Sequence, residues 1–200
     1  AGAALVLGLA EAGVLSLDDG ISRYSDRLRK TRFDGVTIRH LLCHTAGLIA
    51  WFPCYVKGEG REAYLRCLAE VDPAGPPGHE SLYSCLGYLL LAHAVETASA
   101  LPVDVLFRER VARPLGLERE LLFSPEGDDV ARAAGGETGD ATEKRMVAER
   151  RLSYAGFRKG VVNGQANDGN AYRRGNGVSL NAGLFGTARA VARIARAWLD

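Results

Sequence analysis

The 200-residue chain contains 47% hydrophobic and 24% charged residues, and its formal net charge is +1. These values are typical of one folded domain. A protein that binds nucleic acid or an anionic membrane surface usually carries an excess of positive charge, and this near-neutral chain has no such excess. No apolar run approaches the roughly 20 residues that a bilayer-spanning helix needs. We therefore expect no nucleic-acid partner and no transmembrane segment.

Both ends of the sequence read as the interiors of helices. Residues 3–13 place Leu5, Leu9 and Val6 on one helical face, with a glycine near the end. No basic residue precedes this apolar start, so a core helix is favoured over a signal peptide. Residues 188–200 show a second helical pattern without a stop signal. We expect residues 1–200 to be a partial domain, truncated at both ends.

The four cysteines predict reduced thiols rather than a disulfide framework. Their spacing contains no Cys-x-x-Cys pair, and 200 residues is long for a fold that depends on disulfides. Reduced thiols slightly favour a cytoplasmic location, and the compartment is otherwise left open.

The next part of the chain alternates short helices with loops. Thr37 is a suitable N-cap for a helix over 38–44. A loop over 49–60 follows, and residues 61–71 have the spacing of an amphipathic helix. Three prolines and two glycines over 73–78 predict a clear break.

The segment Ser81–Leu91 is the centre of the predicted fold. Its first three residues read as a short extended segment, and Ser84 is a natural N-cap for the helix that follows. Residues 86–98 are apolar on almost every side, which predicts a buried helix. Tyr83 is then expected at the mouth of this helix, with its phenol near the positive end of the helix dipole.

The second half of the chain predicts fewer regular elements. A helix over 102–112 has a proline in its first turn, and residues 121–123 could form a short strand. Residues 124–142 read as a long surface loop, and 143–152 as a short charged helix. Residues 161–186 are rich in glycine and asparagine, which predicts a long ordered loop, a lid or a poorly ordered segment.

Two local patterns resemble reactive sites. His40 and His44 have the i, i+4 spacing of two zinc ligands, but Leu41 stands where a zinc protease has its glutamate, and no third ligand is evident. A capped helix is the favoured explanation, and no metal is expected. Cys85 lies at a helix N-terminus, where a thiolate is favoured, but a buried inert thiol is the better interpretation.

Several segments resemble the serine β-lactamase and penicillin-binding-protein superfamily, in the order in which that family has them. The most specific is Val36–Leu48, Val-Thr-Ile-Arg-His-Leu-Leu-Cys-His-Thr-Ala-Gly-Leu, and Tyr83–Leu91 is similar to the family's Tyr-x-Asn helix start. Similar segments also cover 9–21, 107–117 and 166–188. The resemblance implies the α/β (α+β) serine β-lactamase/DD-peptidase-like fold, of which this chain would be mainly the helical region, with few strands.

The resemblance also implies roles for individual residues. Family members use a Ser-x-x-Lys nucleophile and a tyrosine that moves protons, and Tyr83 would be this catalytic tyrosine. Cys85 stands where the family has Asn or Asp, and Asn181 where relatives often carry histidine, so both are candidate substrate-binding residues. Residues 1–200 contain no Ser-x-x-Lys motif, which would have to lie upstream, and no Lys-Thr-Gly or His-Thr-Gly motif.

The resulting hypothesis is a fragment of a serine hydrolase that cleaves an ester, amide or β-lactam bond in a small-molecule substrate through an acyl-enzyme, without a cofactor. The 200 residues alone are predicted to be inactive, because a lone tyrosine with a pKa near ~10 is a poor base at neutral pH. The alternative is a non-catalytic relative that binds a ligand or partner, and a metal-binding module is least favoured. The oligomeric state is left open.

Overall fold

The computed structural model describes residues 1–199 and is rich in helix. The α-helices are α1 (Gly2–Glu11), α2 (Ile38–Leu42), α3 (Gly60–Glu70), α4 (Cys85–Ser99), α5 (Val103–Phe107), α6 (Asp128–Arg132), α7 (Ala141–Glu149), α8 (Gly169–Gly175) and α9 (Ala188–Arg196). Short 3-10 turns occupy Ile21–Tyr24, Asp26–Leu28 and Cys54–Lys57, and a π-helical turn, Arg108–Ala112, extends α5. Residues 121–123 and 184–186 form the two strands.

Helix α4 is the centre of the core, as the sequence predicted. The Ser84 hydroxyl accepts the Gly87 N–H at 3.4 Å, so this residue caps the helix. Leu86, Leu90 and Leu91 are fully buried, and α4 packs against α1, α2, α3 and α5. The helix is buried on almost every side because its apolar residues meet helices from several directions.

Helix α2 has the predicted cap but ends earlier than predicted. The Thr37 hydroxyl accepts the His40 N–H, and His40 Nδ1 accepts the Thr37 N–H, both at 3.2 Å. This reciprocal arrangement is a capping box in which histidine replaces the usual glutamate. The helix ends at Leu42 instead of His44 because His44 has a φ of 58°, which a right-handed helix does not allow.

The two short strands, β1 (Leu121–Phe123) and β2 (Leu184–Gly186), pair antiparallel, with Leu121 opposite Gly186 and Phe123 opposite Leu184. The prediction of a helical region with few strands is therefore confirmed. Within residues 1–199, no single helix is long and apolar enough to cross a membrane. Helix α4 and the helical segment after it meet that criterion only together, and they are bent by 81°.

The glycine-rich regions are more ordered than the sequence predicted. Helix α8 lies inside the 161–186 segment, so the prediction of a loop was wrong for its residues. Asp168 caps α8 by accepting the Ala171 N–H at 2.7 Å, and the helix stops at Gly175, before Asn176 with its φ of 53°. Helix α6 likewise interrupts the predicted 124–142 loop. Both helices are short, and the tertiary contacts of α8 outweigh its poor helix propensity.

A buried ionic cluster joins α7, the following loop and α8. Asp140 is fully buried and accepts hydrogen bonds from the Arg158 side chain, with Nε at 2.7 Å, and from Arg173 Nη2 at 3.2 Å. Arg158 also donates to the carbonyl oxygens of Ala166 and Asn167 at 2.7 and 2.8 Å. The cluster therefore fixes the chain that leads into α8.

Candidate functional site

Tyr83 and Cys85 lie side by side at the N-terminus of α4. The Cys85 Sγ is 3.9 Å from the Tyr83 Oη, a weak hydrogen-bonding distance. The Tyr83 side chain is 63% exposed, whereas Cys85 is half-buried at the first helical position. The phenol is thus presented to solvent at the end of a rigid helix, where the sequence predicted it.

His44 holds this tyrosine in place. Its Nδ1 accepts the Ser84 N–H at 3.1 Å, and its backbone oxygen accepts the Leu82 N–H at 2.9 Å. The His44 ring contacts the Tyr83 ring at a centroid distance of 4.7 Å and stacks on Tyr88 at 5.0 Å. Burial lowers the pKa of His44, which favours the neutral ring that this backbone hydrogen bond requires.

The two histidines with zinc-like spacing are therefore used by the backbone. His40 caps α2 and His44 orders the segment before α4, so each ring accepts an N–H through its Nδ1. Among residues 1–199, no group of three or more His, Cys, Asp or Glu side chains is arranged to hold a metal ion.

Asn181 approaches the same place from the loop between α8 and β2. Its amide lies beside Cys85 and Asp168; burial raises the pKa of both groups, and contact with the amide opposes that rise. Both polar atoms of the amide are buried, and neither makes a well-formed hydrogen bond to the described part of the chain. The hydroxyl of Ser179, two residues earlier, is likewise buried and makes no well-formed hydrogen bond to the described part of the chain. Buried polar groups without a well-formed hydrogen bond are uncommon in native interiors.

A cavity of ≈ 370 Å³ adjoins this loop, and its wall includes Ser179, Asn181, Tyr88, Phe123 and the start of α1. The wall thus combines aromatic surface with two unsatisfied polar groups, a composition that is typical of small-molecule sites.

Asp168 is the group at this site that the sequence did not single out. Its carboxylate caps α8, and burial raises its pKa, although the backbone N–H groups of α8 and the Asn181 amide oppose the rise. The Asp-x-x-Ala pattern before a helix is a possible N-cap signal. Its long-range approach to Cys85 and Asn181 could not be read from sequence.

The surroundings of Tyr83 raise its pKa above the ordinary value of a tyrosine. The neighbouring Cys85 contributes most to raising the pKa of Tyr83, and burial, Asp168 and Tyr88 raise it further. Burial is the main reason that the pKa of Cys85 is raised, with Asp168 second. Every one of these contributions to the tyrosine has the same sign, so a proton-transfer role for Tyr83 requires a cation from another part of the protein.

Contacts of Glu143 and Asn170 hold the part of the site that contains the Asp168 carboxyl group. Glu143 on α7 is buried, accepts the Gly169 N–H at the start of α8, and receives the Tyr55 hydroxyl at 2.5 Å. Asn170 is also buried; its amide donates to the Phe52 oxygen at 2.9 Å and accepts the Cys54 N–H at 3.0 Å. Together these contacts fasten the 49–60 loop to the end of α8 that carries Asp168.

Comparison with known proteins identifies the family. The family model described as "Beta-lactamase" matches residues 1–200. The chain belongs to the beta-lactamase family. It is a member of the serine β-lactamase and penicillin-binding-protein superfamily, as the resemblance of its motifs predicted.

Two of the relatives are named as carboxypeptidases. The chain is 30% identical over 145 residues to the D-alanyl-D-alanine-carboxypeptidase/endopeptidase AmpH of Escherichia coli K12, covering 68% of this chain and 37% of that protein. It is 27% identical over 212 residues to a putative D-alanyl-D-alanine carboxypeptidase of the same organism, covering 96% and 46%.

A solved structure supports the fold. The Yersinia pestis beta-lactamase/D-alanine carboxypeptidase superposes with a TM-score of 0.63 at 20% identity, over 99% of this chain and 49% of that one. The chain therefore spans less than half the length of each of these three proteins.

Proposed function

We propose that residues 1–200 form the tyrosine-bearing wall of a serine hydrolase site, in which a serine upstream of this sequence attacks an ester, amide or β-lactam bond. The observation that carries the proposal is the position of Tyr83, an exposed phenol held by His44 at the N-terminus of a buried helix. Cys85, Asn181 and Asp168 converge on the same place from distant parts of the chain.

Each residue has a role that its chemistry permits. Tyr83 transfers the proton between the serine, the leaving group and solvent, and a lysine beside the serine supplies the cation that lowers the pKa of Tyr83. The Asn181 amide, which has no well-formed partner among residues 1–199, hydrogen-bonds a carbonyl or amide of the substrate. Cys85 contacts the substrate as a small, weakly polar surface beside the phenol.

The direct test is covalent labelling of the full-length protein encoded by the gene. A fluorescent penicillin or a fluorophosphonate is expected to label one serine, because both reagents acylate or phosphonylate an activated serine hydroxyl. Peptide mapping then locates the labelled residue, and its position relative to Ala1 tests the upstream assignment.

Tyr83→Phe in the full-length protein tests the role of the phenol. Loss of a proton-transfer group is expected to slow acylation by about 10²–10⁴-fold, with little effect on folding because the Tyr83 side chain is mostly exposed. Tyr88→Phe is the matched control: it removes a neighbouring hydroxyl, which donates to the Leu42 oxygen at 3.3 Å, and leaves the ring stacked on His44. Equal acylation rates in both variants would contradict the proposed role.

The second candidate function is ligand binding without catalysis. Two observations favour it: Cys85 replaces the family's amide or carboxyl, and the described neighbours of Tyr83 all raise its pKa. A folded full-length protein that no serine-directed reagent labels would support this function and reject the hydrolase.

A further inference from the structure

A second cavity lies outside the candidate site, between the 49–60 loop, the end of α3 and the end of α7. Its volume is ≈ 340 Å³, at the small end of the range of about 300–1,000 Å³ that is usual for ligand pockets. Ile49, Phe52 and Val71 give it an apolar wall. Four charged side chains also line it: Lys57, Glu70, Asp72 and Arg150. Two of these are positive and two are negative, so the lining suits a ligand without net charge.

The Arg150 guanidinium is held in a fixed position beside this cavity. Its Nη2 donates to the Trp51 oxygen at 2.8 Å, and its central carbon lies over two aromatic rings, 5.9 Å from the Trp51 centroid and 5.6 Å from that of Phe52. Within residues 1–199, no carboxylate lies within 4.0 Å of its nitrogens. A guanidinium that aromatic rings and a carbonyl hold in place, and that has no counter-ion, is suited to bind a carboxylate.

Asp72 supplies the opposite charge. It is exposed two residues after the end of α3, and no cation of the described chain lies within 4.0 Å of its oxygens. Its charge raises the pKa of Arg32, against burial, but the Arg32 guanidinium donates to the Leu68 oxygen at 2.6 Å. Lys57 and Glu70 pair with each other, with Nζ and Oε2 3.8 Å apart. The cavity therefore presents one guanidinium and one carboxylate that have no direct counter-ion.

We propose that this cavity binds a free amino acid with an apolar side chain. The ligand carboxylate pairs with Arg150, its ammonium group pairs with Asp72, and its side chain packs against Phe52 and Val71. A zwitterion fits this lining better than a simple acid or amine does. A ligand with only one charge would be attracted to one of the two groups and repelled by the other.

The cavity and the candidate site share one loop but are lined by different side chains. The Ile49 oxygen accepts the Ser84 hydroxyl at 2.7 Å, and the Ala50 oxygen accepts the Cys85 N–H at 2.9 Å. An amino acid against Ile49 therefore contacts the segment that borders the start of α4. Neither Tyr83 nor Cys85 is part of the cavity wall. Binding requires no catalytic serine, so it is independent of the proposed hydrolase activity.

The experiment is calorimetric titration of the full-length protein encoded by the gene with L-leucine and with D-leucine. Two analogues that lack one charge each are titrated in parallel: 4-methylpentanoate, which has no amine, and 3-methylbutylamine, which has no carboxylate. At least one leucine enantiomer is expected to bind with a Kd of about 1 mM or below. Each analogue should bind at least about tenfold more weakly, because one hydrogen-bonded charge is lost.

Substitutions at both ends of the cavity locate the bound leucine. Arg150→Gln should weaken leucine binding about tenfold or more. Asp72→Asn should also weaken leucine binding but should tighten the binding of 4-methylpentanoate, because the carboxylate of this analogue no longer faces a like charge. The matched control is Arg145→Gln on the exposed surface of α7, where Arg145 lies 3.9 Å from Glu149. This variant should bind leucine as wild type does.

Three results would each overturn the proposal. The first is the absence of saturable leucine binding to the folded wild-type protein. The second is equal binding of leucine and either analogue, a comparison that uses only the wild-type protein and needs no variant to fold. The third is leucine binding that neither Arg150→Gln nor Asp72→Asn changes, since the leucine would then occupy a different site.

Discussion

Removal of the Asp140 carboxylate tests the buried ionic cluster that fixes the approach to α8. Asp140 is fully buried and faces two guanidiniums, those of Arg158 and Arg173, whose side chains are 9% and 3% exposed. Its Oδ2 also accepts the Arg158 backbone N–H at 2.8 Å. Asp140→Ala removes all of these acceptors, which leaves Arg158 without its counter-ion and Arg173 with only the more distant Glu59 carboxylate, at 3.8 Å.

The expected cost follows from two contributions. Breaking a buried ion pair by deleting one partner costs about 3–5 kcal/mol, because an uncompensated charge stays buried. Asp140 also has a φ of 53°, and alanine in that left-handed conformation costs about 1 kcal/mol more. We therefore expect Asp140→Ala to lower the free energy of unfolding by roughly 4–6 kcal/mol, an unusually large effect for one substitution.

The assay is urea unfolding of residues 1–200 at pH 7, with Asp129→Ala as the matched control. Asp129 pairs with Arg132 at 3.2 Å on the surface of α6, and both side chains are largely exposed. An exposed pair of this kind contributes about 0–1 kcal/mol. Asp140→Asn separates the contributions, since asparagine tolerates the left-handed conformation but carries no charge.

The effect should also depend on pH. Burial alone would raise the pKa of Asp140, but hydrogen bonds from Arg158 and Arg173 outweigh it and lower the pKa below its ordinary 3.8. Stability from a lowered carboxyl pKa is present above the unfolded-state value and is lost as the pH falls through the folded-state value. The difference between wild type and Asp140→Asn should therefore shrink only below about pH 4. If Asp140→Ala costs no more than Asp129→Ala at pH 7, the carboxylate does not compensate the two arginines.

Two other substitutions test local features. Gly47→Ala should destabilise the fold by at least about 2 kcal/mol in urea unfolding, because Gly47 has a φ of 67° and an added Cβ would overlap the Gly75 carbonyl oxygen. The free energy of unfolding of Glu143→Gln should rise relative to that of wild type as the pH rises from about 4.5 to about 7. Burial is the main reason that the pKa of Glu143 is raised to about 7, and stability from a raised pKa is lost as the pH rises through the folded-state value.

Each of these has its own control. Gly8→Ala, on the exposed face of α1 with no atom near its added Cβ, should stabilise the chain by about 0.5–1 kcal/mol. Similar effects of Gly8→Ala and Gly47→Ala would contradict the steric argument. For Glu143→Gln, a stability difference from wild type that stays constant between pH 5 and 8 would show that the carboxyl does not titrate in that range.

The sequence predicted those elements whose signals are local. Ser84 before a long apolar run predicted α4, and Thr37 predicted α2, because caps and apolar periodicity act within a few residues. The position of Tyr83 beside Cys85 followed from the same local pattern. The predicted boundaries differed mostly at helix ends, as for α2, where a single left-handed residue ends the helix.

The parts that could not be predicted depend on distant residues. Helix α8 contains three glycine or asparagine residues at its ends and forms because Asp168 caps it and Glu143 holds its first N–H. Asp140 was assigned to a surface loop, yet it is fully buried by arginines 18 and 33 positions away. A charged residue is buried only where partners from other parts of the chain neutralise it. A local sequence pattern does not show whether such partners are present.

The buried amide of Asn170 limits how the substrate specificity of the site can be changed by exchanging the 49–60 loop. It joins Phe52 and Cys54 to α8 across 118 and 116 positions of sequence. A chimaera that exchanged the 49–60 loop alone would replace the backbone groups to which this amide hydrogen-bonds. The amide would then be buried without its hydrogen bonds. The loop and the start of α8 therefore form one structural unit. A chimaera that is designed to alter specificity has to include residue 170 together with the loop.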